Sequence, residues 1–198
     1  MKRRIPVVFC TVALSLGAGV FAKALLTNKG SQTAFTLRSR VININGDGTQ
    51  STLEKVRYVS SSGDWRVVLT NPDGKHAEYF FRNGLGFFKV DFAEKVLRRD
   101  PRGSDSAPVP MTPEQLRAHP QFVGTEQVLG LTAYIIRVKD EQTGAPESDA
   151  YQAPELGNVP IKSVVYAEGR PVVIDEPIAI AFGEPESASL KGPNYAVR

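Results

Sequence analysis

The stretch WRVVLTNPDGKHAEYFFRNGLGFF, residues 65–88, decides the fold class. Trp65, Val67 and Leu69 alternate with Arg66, Val68 and Thr70, the period of two that a half-buried strand requires. Asn71-Pro72-Asp73-Gly74 then supplies turn chemistry, because Pro fixes its own φ and Gly accepts a positive one. The chain resumes with Ala77, Tyr79 and Phe81 set against His76, Glu78 and Arg82, and Asn83-Gly84 returns it into Gly86 to Phe92. Strand, turn, strand, turn, strand is the pattern of an antiparallel meander.

Working outward, the same grammar continues on both sides. Thr33 to Ile44 places Phe35, Leu37 and Val41 on one face and Thr36, Arg38 and Arg40 on the other, and the polarity flips at Ile42 and Ile44, which predicts a bulge or a change of partner near Val41. Asn45-Gly46-Asp47-Gly48 joins it to Ser51 to Ser60, with Val56 and Tyr58 on one face and Ser61 to Asp64 closing the strand. Downstream, Asp100 to Pro110 has a loop composition, and Thr112-Pro113-Glu114-Gln115 opens a short helix with Thr at the N-cap, Leu116 inward and Pro120 at its end. Glu126 to Lys139 reads as one strand with a bend or bulge at Gly130, followed by strands near Asp149 to Ala153, Ile161 to Ala167 and Val172 to Phe182. The expectation is a mainly β (α+β) fold: a strongly curved antiparallel sheet or half-barrel of eight to nine strands with one short helix, preceded by an N-terminal hydrophobic helix.

Charge separates that N-terminal segment from the rest. The chain has 24 Lys+Arg against 21 Asp+Glu, but four of the basic groups, Lys2, Arg3, Arg4 and Lys23, fall in the first 24 residues, where there is no acid. The remainder carries 20 against 21, a net charge of −1, so basicity offers no argument for a nucleic-acid partner. Ile5 to Ala22 is 18 residues without a charge, behind a basic start and ahead of Ala22-Lys23-Ala24, the anatomy of an export signal. Its length also fits the lower end of a membrane span, so residues 1–24 are expected to be a signal peptide or a membrane anchor, and residues 25–198 a single exported β-rich domain. The domain is expected in the periplasm or secreted, or else held outside the cytoplasm by an inner-membrane anchor. Cys10, the one cysteine, lies inside this segment, so the body has neither disulfides nor thiolate metal sites.

Few residues invite chemistry. The two histidines, His76 on the polar side of a strand and His119 before Pro120, read as a surface residue and a helix-end residue. Asn43, Asn45, Asp47 and Gln50 ring a Gly-rich turn but lack the closing bidentate Glu of a calcium loop. Glu147, Asp149, Glu155 and Glu168 supply carboxylates with no pairing legible from sequence, and a hydrolase would need two of them, or His76 with an acid and a hydroxyl, in one cleft. No catalytic residue, metal site or cofactor is therefore expected. The unusual local feature is aromatic: Tyr79, Phe80, Phe81, Phe87, Phe88 and Phe92 put rings on both faces of two adjacent strands. Phe35, Trp65, Tyr79, Phe81, Phe88 and Tyr134 are the residues expected to line a ligand pocket.

The run Gly124-Thr125-Glu126-Gln127-Val128-Leu129-Gly130-Leu131-Thr132-Ala133-Tyr134-Ile135-Ile136-Arg137 resembles the central strand of periplasmic lipoprotein-carrier-like proteins. Tyr151 to Gly157, Gly183 to Glu186 and Pro193-Asn194-Tyr195 resemble the close of a group of uncharacterised exported bacterial proteins. The first resemblance implies a half-barrel with helical cover and acyl chains or another apolar ligand. This chain departs from it in offering only the helix near Thr112 to His119 as cover. The sequence thus points to a non-enzymatic cell-envelope domain that binds an apolar ligand; the alternative is a membrane-tethered interaction or sensor module that pairs with an envelope protein through a sheet edge.

Overall fold

Hairpin turns set the architecture. The computed structural model describes residues 33–74, 76–100, 110–157 and 159–197; the hydrophobic segment 1–24 and most of the Asp100–Pro110 stretch lie outside them. The strands are β1 (Phe35–Ile44), β2 (Gln50–Val59), β3 (Trp65–Thr70), β4 (His76–Arg82), β5 (Gly86–Asp91), β6 (Val96–Arg99), β7 (Phe122–Val128), β8 (Leu131–Lys139), β9 (Pro146–Gln152), β10 (Pro160–Ala167), β11 (Arg170–Phe182) and β12 (Ala196–Val197). They form one curved, unclosed 12-stranded sheet in the order β12-β6-β5-β4-β3-β2-β1-β11-β10-β9-β8-β7. Every pairing is antiparallel except that of β12 with β6.

The class expected from sequence is the class found, with more strands than the eight to nine anticipated. One miscount has a clear cause. Glu126 to Lys139 is not a single strand bent at Gly130: Leu129 and Gly130 have φ of 51° and 79° and make a two-residue hairpin loop between Val128 and Leu131. Two successive positive φ values give the turn whose twist matches antiparallel strands. The segment that resembles a carrier's central strand is accordingly an edge hairpin, β7–β8. Likewise, the irregularity expected near Val41 lies in its partner, where β11 inserts Ile178 opposite the Arg38–Ser39 step of β1.

Helix α1 (Pro113–Arg117) has Thr112 at its N-cap as expected and closes a capping box with Gln115, Thr112 Oγ1 accepting from Gln115 N and Gln115 Oε1 accepting from Thr112 N. Its Leu116 packs with Tyr134, Ile136 and Phe122. A 3-10 turn, Pro154–Leu156, buries Leu156 in the main core beside Phe35, Leu37, Val59 and Ile161. After β11 the chain makes α2 (Ser187–Leu190) and crosses the sheet. Arg66 Nη1 donates to Ser189 O at 3.1 Å, Arg82 Nη2 donates to Leu190 O, both guanidinium groups lie over the Phe80 ring, and Gly192 presses on that ring so closely that a Cβ would come 2.0 Å from it. The tail ends as β12 along the β6 edge, which it covers at Val96 and Leu97. No helix among the described residues is long and apolar enough to cross a membrane.

At Gly130 an added Cβ would meet nothing within 4 Å, so a substitution there is penalised by backbone conformation alone. Gly130→Ala is expected to lower stability by about 1 kcal/mol, and Gly130→Asn by less, read from urea-denaturation midpoints.

Candidate functional site

Residues directly opposite one another in an antiparallel pair share a face. The registers of β1 to β5 therefore arrange one face of the sheet in rows that run across the strands. The first row is Phe35, Val59, Trp65, Phe81 and Phe87. The second is Leu37, Arg57, Val67, Tyr79 and Lys89, and the third is Ser39, Lys55, Leu69 and Ala77. Neighbouring rows are two residues apart along each strand, about 7 Å.

The first row is apolar and aromatic. Trp65 stacks on Phe81 at 5.9 Å between centroids and meets Phe87 at 5.6 Å, and Tyr79 stacks on Phe87 at 5.9 Å. Phe35, Phe81 and Tyr79 are buried, whereas Trp65 and Phe87 keep part of their surface exposed. Phe81 and Phe87 are adjacent because the Asn83-Gly84 turn holds β4 and β5 in register, and Trp65 joins them because β3 is β4's other hairpin partner.

The next two rows carry charge. Lys55 Nζ donates to Asp175 Oδ2 of β11, with both side chains almost fully withdrawn from solvent. Asp175 lies opposite Val41, so this ion pair passes over β1 to join β2 to β11. Burial pushes Lys55 down from 10.5 to about 8; neighbouring Arg57 works the same way, and Asp175 opposes both. Arg57, partly buried, donates from Nη1 to Pro160 O at 2.9 Å, and burial lowers its affinity for protons while Asp175 restores some of it. Ser39 Oγ, Asp175 Oδ1 and Gln152 Oε1 are buried with no hydrogen-bond partner. Sequence reading gave Ser51 to Ser60 an apolar face at Val56 and Tyr58, but Lys55 and Val59 are the residues buried there. The available signal was Lys55-x-Arg57-x-Val59 in step with Leu53, a charged pair inside a period-two pattern.

The six residues expected from sequence to line a pocket are distributed. Phe35, Trp65, Tyr79 and Phe81 share the face just described. Phe88 pairs with Phe80 on the opposite face, where it packs with Val90, Leu97 and Tyr195 under the C-terminal tail. Tyr134 belongs to the α1 cluster on β8, with the Arg117 guanidinium over its ring. Phe87 joins the aromatic row in place of Phe88, a distinction set by strand register alone.

Other polar groups are committed locally. Arg137 makes two bonds of 2.7 Å to Asp149, and Tyr166 donates to the same carboxylate at 2.8 Å. Burial acts to raise Asp149, but the hydrogen bonds from Arg137 and Tyr166 outweigh it and hold the carboxyl below its ordinary range; burial and the bond to Asp149 push Tyr166 up to about 12. Asp47 accepts from Thr49 N and Oγ1, closing its own turn. His119 Nδ1 accepts from Gln121 N, and the side chain of His76 is outside the described residues. A hollow of ≈ 270 Å³ is lined by Asp140, Glu147, Tyr166 and Glu168 among others, and there Asp140 is tied to Thr143 and Gln142. Among the described residues no three His, Cys, Asp or Glu side chains gather as a metal site.

No protein-family model matches the chain, and no curated protein matches it. Solved structures do. The MucA/MucB complex of Pseudomonas aeruginosa is similar at a TM-score of 0.46 and 20% identity, over 82% of this chain and 56% of that one, so this chain spans little more than half of MucB's length. A LolA superfamily protein from Nitrosomonas europaea is similar at 0.41 and 8% identity, over 82% of this chain and 92% of that one. A DUF1329 family protein from Desulfovibrio piger is similar at 0.33 and 12% identity, over 80% and 92%. LolA superfamily proteins and MucB are thus among the solved structures that this chain resembles.

Removing one partner of a buried ion pair strands the other. Asp175→Ala is therefore expected to cost about 3–5 kcal/mol in urea denaturation, well above the effect of exposed Glu176→Ala, whose Arg40 partner is half in solvent. The lowered proton affinity of Lys55 has its own signature. Between about 8 and the unfolded value of 10.5 the unfolded chain binds more protons, so this group's contribution to stability improves as pH rises through that window. Comparing the native chain with Lys55→Met at about pH 7.5 and about pH 10 should show the balance moving toward the native chain at the higher pH. An unchanged difference would show that Lys55 keeps an ordinary proton affinity.

Proposed function

We propose that this chain is an exported, non-enzymatic cell-envelope domain that binds an apolar ligand, such as acyl chains, on the sheet face bearing Trp65. Residues 1–24 act as its signal peptide or membrane anchor, and residues 25–198 form the binding domain. The observation that carries the reading is the aromatic cluster in which Phe81 stacks on Trp65, Trp65 meets Phe87 at a tilt and Phe87 stacks on Tyr79 of the next row, while Trp65 and Phe87 retain exposed surface. Packed rings whose middle members, Trp65 and Phe87, keep exposed surface offer an acyl chain an apolar path without requiring any catalytic group. Phe35 continues the row toward the core, whereas Phe88 and Tyr134, being elsewhere, take no part in it.

A second reading has its own support. Strand β7 is the last in the sheet order, and Val123 on it is about half exposed, so its outer side is a template for a partner's strand. Under that reading an envelope protein, not a lipid, is the occupant.

Trp65 is the single tryptophan in the chain, which makes the test direct. Titration with dodecanol is expected to shift Trp65 emission saturably, and Phe87→Ala to weaken the response several-fold. A Trp65 signal indifferent to long-chain alcohols, acids and esters alike would refute the acyl-binding reading.

A further inference from the structure

The polar residues beside the aromatic row are not arranged as structural ion pairs elsewhere in this protein are. Arg137 and Asp149 satisfy each other with two bonds, and Tyr166 completes the carboxylate. Arg66 gives Nε and Nη2 to Glu78 and Nη1 to the tail carbonyl of Ser189. Around Lys55 the sum does not close. Lys55 and Arg57 bring two positive charges against the single negative charge of Asp175, and among the described residues Arg57 donates only to Pro160 O. Two buried polar atoms without a partner, Ser39 Oγ and Asp175 Oδ1, belong to residues beside this excess, and a third, Gln152 Oε1, to the strand paired with Pro160. Ser39 lies directly opposite Lys55 and is 2% exposed, Asp175 is 8% exposed with Oδ1 unpaired, and Gln152 is 2% exposed and opposite Pro160. A buried net charge beside an unpartnered hydroxyl is costly unless something supplies the missing countercharge.

Position gives the missing group its identity. The Arg57 backbone stands one row from Val59 and Trp65 and that of Lys55 one row further, about 7 Å per row, and their charged ends extend on the same face across β1 to Pro160 of β10 and Asp175 of β11. We infer that Lys55, Arg57 and Ser39 form the head-group subsite of the ligand whose chain lies on Trp65, Phe81 and Phe87, and that the ligand is therefore an amphiphile with a singly charged anionic head, a carboxylate or a phosphodiester. Asp175 cancels one of the two cations and holds Lys55 in place, which leaves room for one negative charge and disfavours a doubly charged head. The inference rests on the acyl-binding reading above and adds the head to it.

The test compares dodecanoate with methyl dodecanoate on the full exported chain, each followed by Trp65 emission at neutral pH. The acid is expected to bind at least about tenfold tighter than the ester, as a charged hydrogen-bonded head requires. Lys55→Met is expected to remove that preference while leaving ester binding within about twofold. Should Lys55→Met fail to fold, Ser39→Ala deletes only an unpartnered hydroxyl and is expected to weaken dodecanoate by about tenfold with the ester unchanged. Lysophosphatidylglycerol, a phosphodiester monoanion, replaces dodecanoate in a parallel arm; tighter binding there with the same sensitivity to Ser39→Ala names a phospholipid as the source, and tighter dodecanoate binding names a free fatty acid. Equal affinity for acid and ester, unmoved by either substitution, overturns the head-group subsite and leaves acyl binding standing. Loss of every one of these ligands overturns both.

Discussion

Strand β1 is the seam on which the molecule depends. It pairs with β2 on one side and with β11 on the other, so the five-strand meander that follows it in sequence and the five strands ending in β11 are held in one sheet only through its two edges. The Lys55–Asp175 ion pair crosses that seam on one face, linking β2 to β11 over the top of β1, a span of about 10 Å at ordinary strand spacing. Phe35 and Leu37, both essentially without exposure, fill the same face immediately beside it. An apolar pair at Lys55 and Asp175 would join the halves at least as strongly, since burying two charges returns little net stability.

Seen from the seam, the two faces of the meander have different purposes. Behind Phe80 and Phe88 the sheet is closed by the protein's own tail, anchored by Arg66 and Arg82 and terminated as an added strand on β6. On the other face Val59, next to Trp65, is followed along β2 by Arg57 and then Lys55, while β3 and β4 continue apolar through Val67, Leu69, Tyr79 and Ala77. The change from apolar to cationic therefore runs along β2, beside the aromatic residues of β3 to β5 on the same face. That polarity is the basis for reading the face as the holder of an amphiphile.

Much of this was legible in the residues. The turns at Asn45–Gly48, Asn71–Gly74 and Asn83-Gly84 fixed the meander, and the Thr112 capping box fixed α1, because each rests on local chemistry that tertiary structure had no reason to override. What escaped was whatever local pattern underdetermines. Leu129-Gly130 contains one residue that seldom adopts positive φ, so the β7–β8 hairpin looked like one bent strand. β6 and β12 are four and two residues long, too short to show a period. The site was half visible for a similar reason: the aromatic residues stood out, but which of Phe87 and Phe88 shares a face with Trp65 depends on register, and the burial of Lys55 depends on β11, 120 residues away.

Whether the domain carries an acyl ligand on the Trp65 face is decided most directly by native mass spectrometry of the chain taken gently from the periplasm of an expression host. The account predicts a bound mass of several hundred daltons, released by organic solvent and diminished in Phe87→Ala. A clean ligand-free mass, obtained both from those preparations and after incubation with long-chain amphiphiles, would contradict it.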